Sequence, residues 1–89
     1  MKWHRADKNQ AALIKLFEAH GCHVHPCGTF GGGFPDLLVG WQARIALVEV
    51  KRGKGEWTPA QQKFHAIWPV FVVREDKQVL EVVTWLKTP

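Results

Sequence analysis

The sequence predicts an α+β fold, an α/β sandwich with a mixed central sheet and the element order αβββαβα. Apolar residues recur at helical spacing near both ends of the chain. Between them, short runs rich in Val, Leu and Ile alternate with turns that contain glycine or proline. The 89 residues are enough for one small domain, expected to span residues 1–89. Two large domains, a TIM barrel and a full dinucleotide-binding fold are excluded by length.

One helix and three strands are expected in the first half of the chain. Residues 7–20 place apolar side chains at helical spacing, and Gly21 follows as a helix stop. The expected strands are 22–26, 34–39 and 44–51. The last two form a hairpin that turns at residues 40–43. The residues of the third strand expected to supply apolar surface are Ile45, Leu47 and Val48.

The second half predicts a helix, a strand and a final helix. Thr58, Pro59 and Gln61 fit an N-cap, a first helical position and a capping box, so a helix is expected to begin there and to end at Trp68. A strand and a last helix follow at residues 70–74 and 76–87. The apolar face of that last helix is expected to contain Val79, Leu80, Val83 and Leu86.

Composition limits the partners and the compartment. The formal net charge is +4 and the sequence pI is about 9.4, which favours a polyanionic partner. No apolar run approaches the roughly 20 residues that a membrane span needs. The N-terminal residues lack an apolar signal-peptide core, so a cytosolic protein is expected. The two cysteines are too few for a disulfide framework.

The strongest chemical signal is Pro35-Asp36, followed after twelve residues by Glu49-Val50-Lys51. Residues two apart in a strand point to the same face, so Glu49 and Lys51 share one face and Val50 points to the other. The hairpin brings Asp36 beside them. The sequence therefore predicts a patch of two carboxylates and one amine.

Such a patch suits phosphodiester hydrolysis. Carboxylates are hard oxygen ligands that select Mg²⁺ or Mn²⁺, and the main-chain carbonyl of Val50 can add a third ligand. A divalent cation would lower the pKa of water and neutralise charge on the phosphate. A lysine beside carboxylates keeps its charge, so Lys51 is expected to orient the water or stabilise the phosphate. The plainer alternative is a turn residue, Asp36, next to an exposed ion pair of little energetic worth.

These motifs, in the runs GGGFPDLLVG, IALVEVK and TPAQQKFHAIW, resemble the PD-(D/E)XK nuclease superfamily, most of all the small standalone VRR-NUC-type nucleases of bacteriophages and prophages. The similarity extends over about residues 7–85. It implies a restriction-endonuclease-like core, DNA as substrate, and a homodimer. It also implies that Asp36 and Glu49 bind the metal, that Lys51 is the catalytic lysine, and that Gln61 is the glutamine of the following helix.

One position departs from the family pattern. The first helix of the family usually supplies an acidic residue to the metal site, and the aligned position here holds Gln10. Gln10 is expected to face inward with the apolar residues of the helix and to line the metal site without adding charge. Asp7, one turn earlier, is an alternative donor, or an N-cap or surface charge.

Several residues near the site are candidates for nucleic-acid contact: Gly32, Gly33, Arg52, Lys54, Trp57 and Lys63. The basic side chains would contact phosphates and Trp57 would stack on a base, or the stretch is a solvated loop with Trp57 against the core. Glycines 31–33 would let a nucleic-acid backbone approach, or form a flexible turn.

A second group of potential ligands surrounds the first expected strand: His20, Cys22, His23, His25 and Cys27. Their spacing does not match a zinc knuckle, because no CxxC and no second ligand pair is present. The sequence as a whole predicts an Mg²⁺- or Mn²⁺-dependent DNA endonuclease, for which branched or junction DNA is a compatible substrate. The alternatives are a nucleic-acid-binding protein that keeps the fold with weakened catalysis, and a structural subunit that docks an acidic partner.

Overall fold

The structure, a computed structural model, describes residues 6–53 and 55–89 and contains three helices and four strands in the predicted order. The elements are α1 (Ala6–Ala19), β1 (His23–Pro26), β2 (Leu37–Trp41), β3 (Arg44–Val50), α2 (Pro59–Ile67), β4 (Phe71–Val73) and α3 (Asp76–Lys87). The predicted α+β class with a mixed central sheet is confirmed.

The four strands form one sheet in the order β1-β2-β3-β4. The pairs β1–β2 and β2–β3 are antiparallel, and β4 runs parallel to β3 after the α2 crossover. The mixed character follows from the connections, because a tight turn can only join antiparallel neighbours, whereas a helical crossover allows a parallel pair. Strands β1 and β4, the shortest of the four, lie at the two edges.

The turn of the β2–β3 hairpin starts two residues later than predicted and ends at the same residue. Trp41 pairs with Arg44, so the loop is only Gln42 and Ala43, both with positive φ (47° and 67°). Two consecutive left-handed residues match the right-handed twist of the flanking strands. Gly40 therefore lies within β2 instead of in the turn.

One face of the sheet holds the hydrophobic core under α1 and α3. The largest core side chains are Leu13, Phe17, Leu37, Val39, Val48, Val73, Val79, Val82 and Leu86. Two predicted apolar positions are wrong: Ile45 is exposed because it alternates with the buried Ala46, and Leu80 is exposed while Val82 takes its place in the core. Helix α1 ends at Ala19, and Gly21, with a φ of +86°, allows the two bonds that close the helix end, from the Cys22 N–H to the Phe17 carbonyl and from the Gly21 N–H to the Glu18 carbonyl.

Helix α2 lies on the other face of the sheet and buries none of its side chains completely. Its N-terminus is fixed locally: the Thr58 hydroxyl accepts from the Gln61 N–H, and the Gln61 side chain accepts from the Thr58 N–H. This is the predicted capping box, which satisfies two amides that the helix itself cannot pair. The helix ends at Ile67, one residue earlier than predicted, because Pro69 disfavours helical backbone at Trp68.

In the described part of the chain, none of the helices combines the length and the apolar character that a membrane crossing requires.

Candidate active site

The β2–β3 hairpin brings Asp36 next to Glu49 and Val50. Leu37 pairs with Val48, so Asp36 stands opposite Glu49 at the end of the hairpin. Asp36 precedes β2 instead of lying within the expected strand, because Pro35 has no N–H to donate to the sheet. Its carboxylate takes the place of a ladder carbonyl and accepts the Val50 N–H at 2.8 Å. The carboxylate is thereby fixed at the point where β3 leaves the sheet.

Lys51 is the first residue after β3 and is only 9% exposed. Its Nζ donates to the Gln61 Oε1 and to the main-chain oxygen of Glu56, both at 2.9 Å. The Glu49 Oε2 lies 3.7 Å from the same nitrogen, and the ring centroid of Trp57 lies 5.1 Å away. These contacts hold the ammonium in one position, on the same side of the sheet as Glu49, as the strand alternation predicts.

Gln61 joins the two functional side chains of β3 to the start of α2. Its Nε2 donates to the Glu49 Oε2 at 2.9 Å, while its Oε1 accepts from the Lys51 Nζ. The same Oε1 also accepts the Thr58 N–H of the capping box. The predicted capping box is therefore present, and the same side chain contacts Glu49 and Lys51; its role in catalysis stays a prediction.

Glu49 is 3% exposed, and this burial raises its pKa to about 7. Burial is the main cause because water no longer solvates the charged form; the neighbouring charge of Asp36 raises the pKa further, and Lys51 opposes both. The charge of Lys51 thus does not fully offset the burial of Glu49 and its repulsion by the Asp36 carboxylate. A divalent cation at this point would neutralise both carboxylates.

Comparison with known proteins identifies the fold family. A solved structure described as a VRR_NUC domain is similar to this chain, with a TM-score of 0.67 and 31% sequence identity over 89% of this chain and 94% of that one. No family model and no curated protein matches the chain. The chain belongs to the VRR-NUC family. The predicted resemblance to this type of PD-(D/E)XK nuclease is confirmed.

The donor set of this VRR-NUC chain fits a hard divalent cation. Asp36 and Glu49 supply carboxylate oxygens, and the carbonyl of Val50 belongs to the residue between Glu49 and Lys51. Among the side chains of residues 9–53 and 55–89, no three of His, Cys, Asp or Glu converge on one point. Within that part of the chain, a third donor would be a main-chain oxygen, an amide or water.

Gln10 is half-buried on α1, and among the described hydrogen bonds none links it to Asp36, Glu49 or Lys51. Its place at the metal site stays a prediction. The side chain of Asp7, the alternative donor, lies outside the described part of the structure.

The residues expected to contact nucleic acid fall into separate environments. Arg52 and Lys63 are exposed, on the loop after β3 and on α2, and Lys54 lies outside the described residues. Trp57 is half-buried, with the Lys51 ammonium 5.1 Å and the centroid of the His65 ring 4.8 Å from its ring. These contacts hold the indole against the VRR-NUC site, and its stacking on a base stays a prediction.

Glycines 32 and 33 also differ. Gly33 has a φ of +80°, and a Cβ on it would lie 2.3 Å from the Ala60 main-chain oxygen. Gly33 is thus the point where the loop before Asp36 packs directly on the first turn of α2. Gly32 has a φ of +64° with open space around it, so it keeps the access that the nucleic-acid hypothesis needs.

The histidines and cysteines around β1 separate onto different sides. Cys22 and Cys27 are buried and are not joined by a disulfide, whereas His23 and His25 are exposed. Burial raises the pKa of both thiols. Cys27 donates to the carbonyl of His25 at 3.2 Å, as a packed thiol does.

Two neighbours of Lys51 could not be found from the sequence pattern. The Glu56 contact uses a main-chain oxygen, which every residue carries and no motif marks. The Trp57 ring faces Lys51 only because the loop between β3 and α2 folds back. An aromatic residue shortly before a helix cap is the available signal for the second contact, and it fits base stacking and packing against the core equally well.

Proposed function

We propose that this chain is a divalent-metal-dependent DNA endonuclease that hydrolyses phosphodiester bonds. The observation that carries the proposal is the convergence of Asp36, Glu49, Lys51 and Gln61 at the end of the β2–β3 hairpin. Two carboxylates, one ammonium and one amide form a site suited to phosphate chemistry. Membership of the VRR-NUC family supports the same reaction.

Asp36, Glu49 and the carbonyl of Val50 would hold Mg²⁺ or Mn²⁺. When bound, the cation supplies charge neutralisation at the phosphate and a lower pKa for water. Its binding also favours the ionised form of Glu49, whose pKa in the chain itself is raised to about 7. Gln10 would complete the site through an amide oxygen or an intervening water.

Lys51 acts on the substrate. An ammonium has three N–H donors, and Gln61 and the Glu56 carbonyl accept two of them at 2.9 Å. The remaining donor is available to the attacking water or to a phosphate oxygen, where it stabilises the negative charge that develops during hydrolysis. Gln61 positions both Lys51 and Glu49. The Trp57 ring contacts the ammonium as a cation–π partner, and this contact does not use the remaining N–H donor.

The proposal is tested by a cleavage assay together with a calorimetric metal titration. We expect cleavage of DNA in Mg²⁺ or Mn²⁺ and none in excess chelator. Asp36→Asn and Glu49→Gln should lose metal affinity and cleavage, because each removes a charged ligand. Lys51→Ala should lose cleavage by about 100-fold or more while metal affinity changes little, since the ammonium contacts the reacting groups instead.

Lys77→Ala, an exposed lysine of α3, is the matched control and should cleave like the original chain. Full cleavage in chelator would refute the metal-dependent mechanism. Metal binding and DNA binding without any cleavage would favour the alternative, a nucleic-acid-binding protein with weakened catalysis, which the neutral Gln10 makes worth testing.

The finer features of the substrate and setting stay predictions. A preference for branched or junction DNA is tested by comparing linear, flapped and four-way-junction DNA of equal length. The phage or prophage setting, the cytosolic location and the homodimer are likewise expected from the family resemblance and the composition.

A further inference from the structure

Four aromatic rings form a continuous row beside the candidate site. The ring centroids of Phe30 and Phe34 lie 5.0 Å apart, those of Phe34 and Phe64 lie 5.3 Å apart, and those of Phe64 and Trp68 lie 6.0 Å apart. We call this set, Phe30, Phe34, Phe64 and Trp68, the aromatic row. Its inner rings are half-buried, but Phe30 is 60% exposed and Trp68 is 52% exposed.

The aromatic row is built from the same two segments that build the site. Phe34 stands two residues before Asp36, and Phe64 stands one helical turn after Gln61 on the same face of α2. Trp68 follows one turn later, about 10 Å along the helix axis from Gln61. A polymer whose phosphate lies at Asp36, Glu49 and Lys51 and which extends along α2 would therefore pass next to these rings.

The charge around the aromatic row suits a polyanion. Helix α2 has no Asp or Glu but carries Lys63 and His65, and residues 27–34 carry no charged side chain. Apolar rings without carboxylates, next to basic groups, are the combination that binds unpaired nucleotides. Trp57, in contrast, has its ring in contact with Lys51 and His65.

We propose that the aromatic row is a stacking platform for unpaired bases that flank the scissile phosphate. The chain would therefore bind DNA with splayed or single-stranded nucleotides in preference to a continuous duplex, because bases inside a duplex are already stacked on each other. The proposal rests on the proposed nuclease function and specifies its substrate class. Every base has a π face, so this contact selects unpaired structure and not sequence.

The stacking platform is tested by measuring the affinity of the protein for three DNA probes. The probes are a forked duplex with two unpaired arms, the same fork with abasic arms, and a continuous duplex with the same number of phosphates. Lys51→Ala is the parent protein so that cleavage does not consume the probe. We expect the parent to bind the fork about 5- to 150-fold more tightly than the abasic fork. Trp68→Ala and Phe30→Ala should each bind the normal fork about 5- to 150-fold more weakly than the parent does. Their affinity for the abasic fork should differ little from that of the parent.

Three controls separate stacking from other effects. Trp68→Phe should retain most of the affinity because it keeps an aromatic ring. Ile67→Ala removes a neighbouring side chain that is 74% exposed and has no ring, and it should bind like the parent. The salt dependence of binding should be the same in all these variants, since none removes a phosphate contact.

Equal affinity of the parent for the normal and abasic forks, or unchanged affinity in both Trp68→Ala and Phe30→Ala, would overturn the proposal. It would also be overturned if Ile67→Ala and Trp68→Ala alike reduced the mass of the protein in solution, because the surface would then be a protein interface. Cleavage by Lys51→Ala would instead count against the proposed catalytic role, which separates the two failures.

Discussion

At the scale of single residues, an amide is better suited than a carboxylate to the position of Gln61. Its oxygen accepts from both the Lys51 Nζ and the Thr58 N–H, while its nitrogen donates to the Glu49 Oε2. A glutamate could accept the first two bonds but would place a third negative charge against Glu49. One side chain therefore serves the helix cap and the site together.

The raised pKa of Glu49 predicts how stability depends on pH in the metal-free chain. The pKa is about 7 in the folded chain, against an ordinary glutamate value of 4.5 in the unfolded chain, so between these values the folded chain binds more protons than the unfolded chain. The free energy of unfolding should therefore fall as the pH rises through this window. Urea unfolding in chelator at about pH 5 and about pH 7.5 measures this fall.

Glu49→Gln is the control for that measurement, and it should show a smaller fall because it has no proton to lose. Adding Mg²⁺ or Mn²⁺ at the higher pH should restore stability to the original chain and not to Glu49→Gln. Equal pH dependence in the two proteins would contradict the assignment of the raised pKa to Glu49.

Residue types and spacing were sufficient to predict the convergence of Asp36, Glu49 and Lys51. Strand alternation places Glu49 and Lys51 on one face, and the hairpin brings Asp36 to the same end. The exact pairing of Asp36 opposite Glu49 depends on the two-residue turn, which is shorter than predicted. The contacts that immobilise Lys51 depend on a loop, whose path is set by tertiary packing. That is why the Glu56 carbonyl and the Trp57 ring could not be predicted.

At the scale of elements, the loop of glycines 31–33 before Asp36 packs on the first turn of α2. This contact sets the distance between Gln61 on α2 and the site residues of the hairpin. A Cβ on Gly33 would lie 2.3 Å from the oxygen and 2.5 Å from the carbon of the Ala60 carbonyl, closer than packed atoms approach. The obstacle is main chain, so it cannot rotate away. Any side chain at Gly33 must separate the loop from the first turn of α2, and Gln61 from Lys51.

Gly33→Ala should therefore destabilise the chain by about 1–3 kcal/mol more than Gly32→Ala. Both glycines have positive φ, but a Cβ on Gly32 meets nothing within 4 Å, so the pair isolates the clash from the backbone strain. Urea unfolding measures the difference, and cleavage should fall further in Gly33→Ala. Equal free energies of unfolding would show that the loop and α2 adjust freely.

Helix boundaries were easier to predict than helix faces. The predicted bounds of α3, residues 76–87, agree with the structure because both ends lie beside clear breaks in the apolar period. Leu80 and Val82 were harder, because both lie next to residues of the apolar stripe and only the neighbouring strands decide which one is covered. The end of β1 and the start of β3 agree with the prediction, and the other strand ends differ by one to three residues. The largest differences are at β2, where Pro35 and the two-residue loop determine the pairing.

At the scale of the whole molecule, the surface retains several large apolar side chains. Away from the aromatic row, these include Ile45, Leu80 and Trp85. Exposed apolar side chains are common at interfaces, and two copies would provide one site for each DNA strand.

We expect a homodimer in solution, with a mass near twice the 10.1 kDa of one chain. Light scattering over a range of micromolar concentrations measures the mass, and dilution reveals dissociation. A mass near 10.1 kDa throughout that range would refute the dimer. Each DNA strand would then be cleaved in a separate binding event between a monomer and the DNA.

Helix α2 carries Gln61 but buries none of its side chains completely. This limits the fraction of time during which the site is fully assembled. An element with so few buried contacts opens without global unfolding, so its amide hydrogens should exchange faster than those of β3 and α3. Each opening withdraws Gln61 from Lys51 and Glu49. Forked DNA with a divalent cation should slow that exchange, whereas equally slow exchange in the free chain would contradict this view. The apparent affinity for substrate is then the affinity of the closed form reduced by the fraction of molecules that are closed.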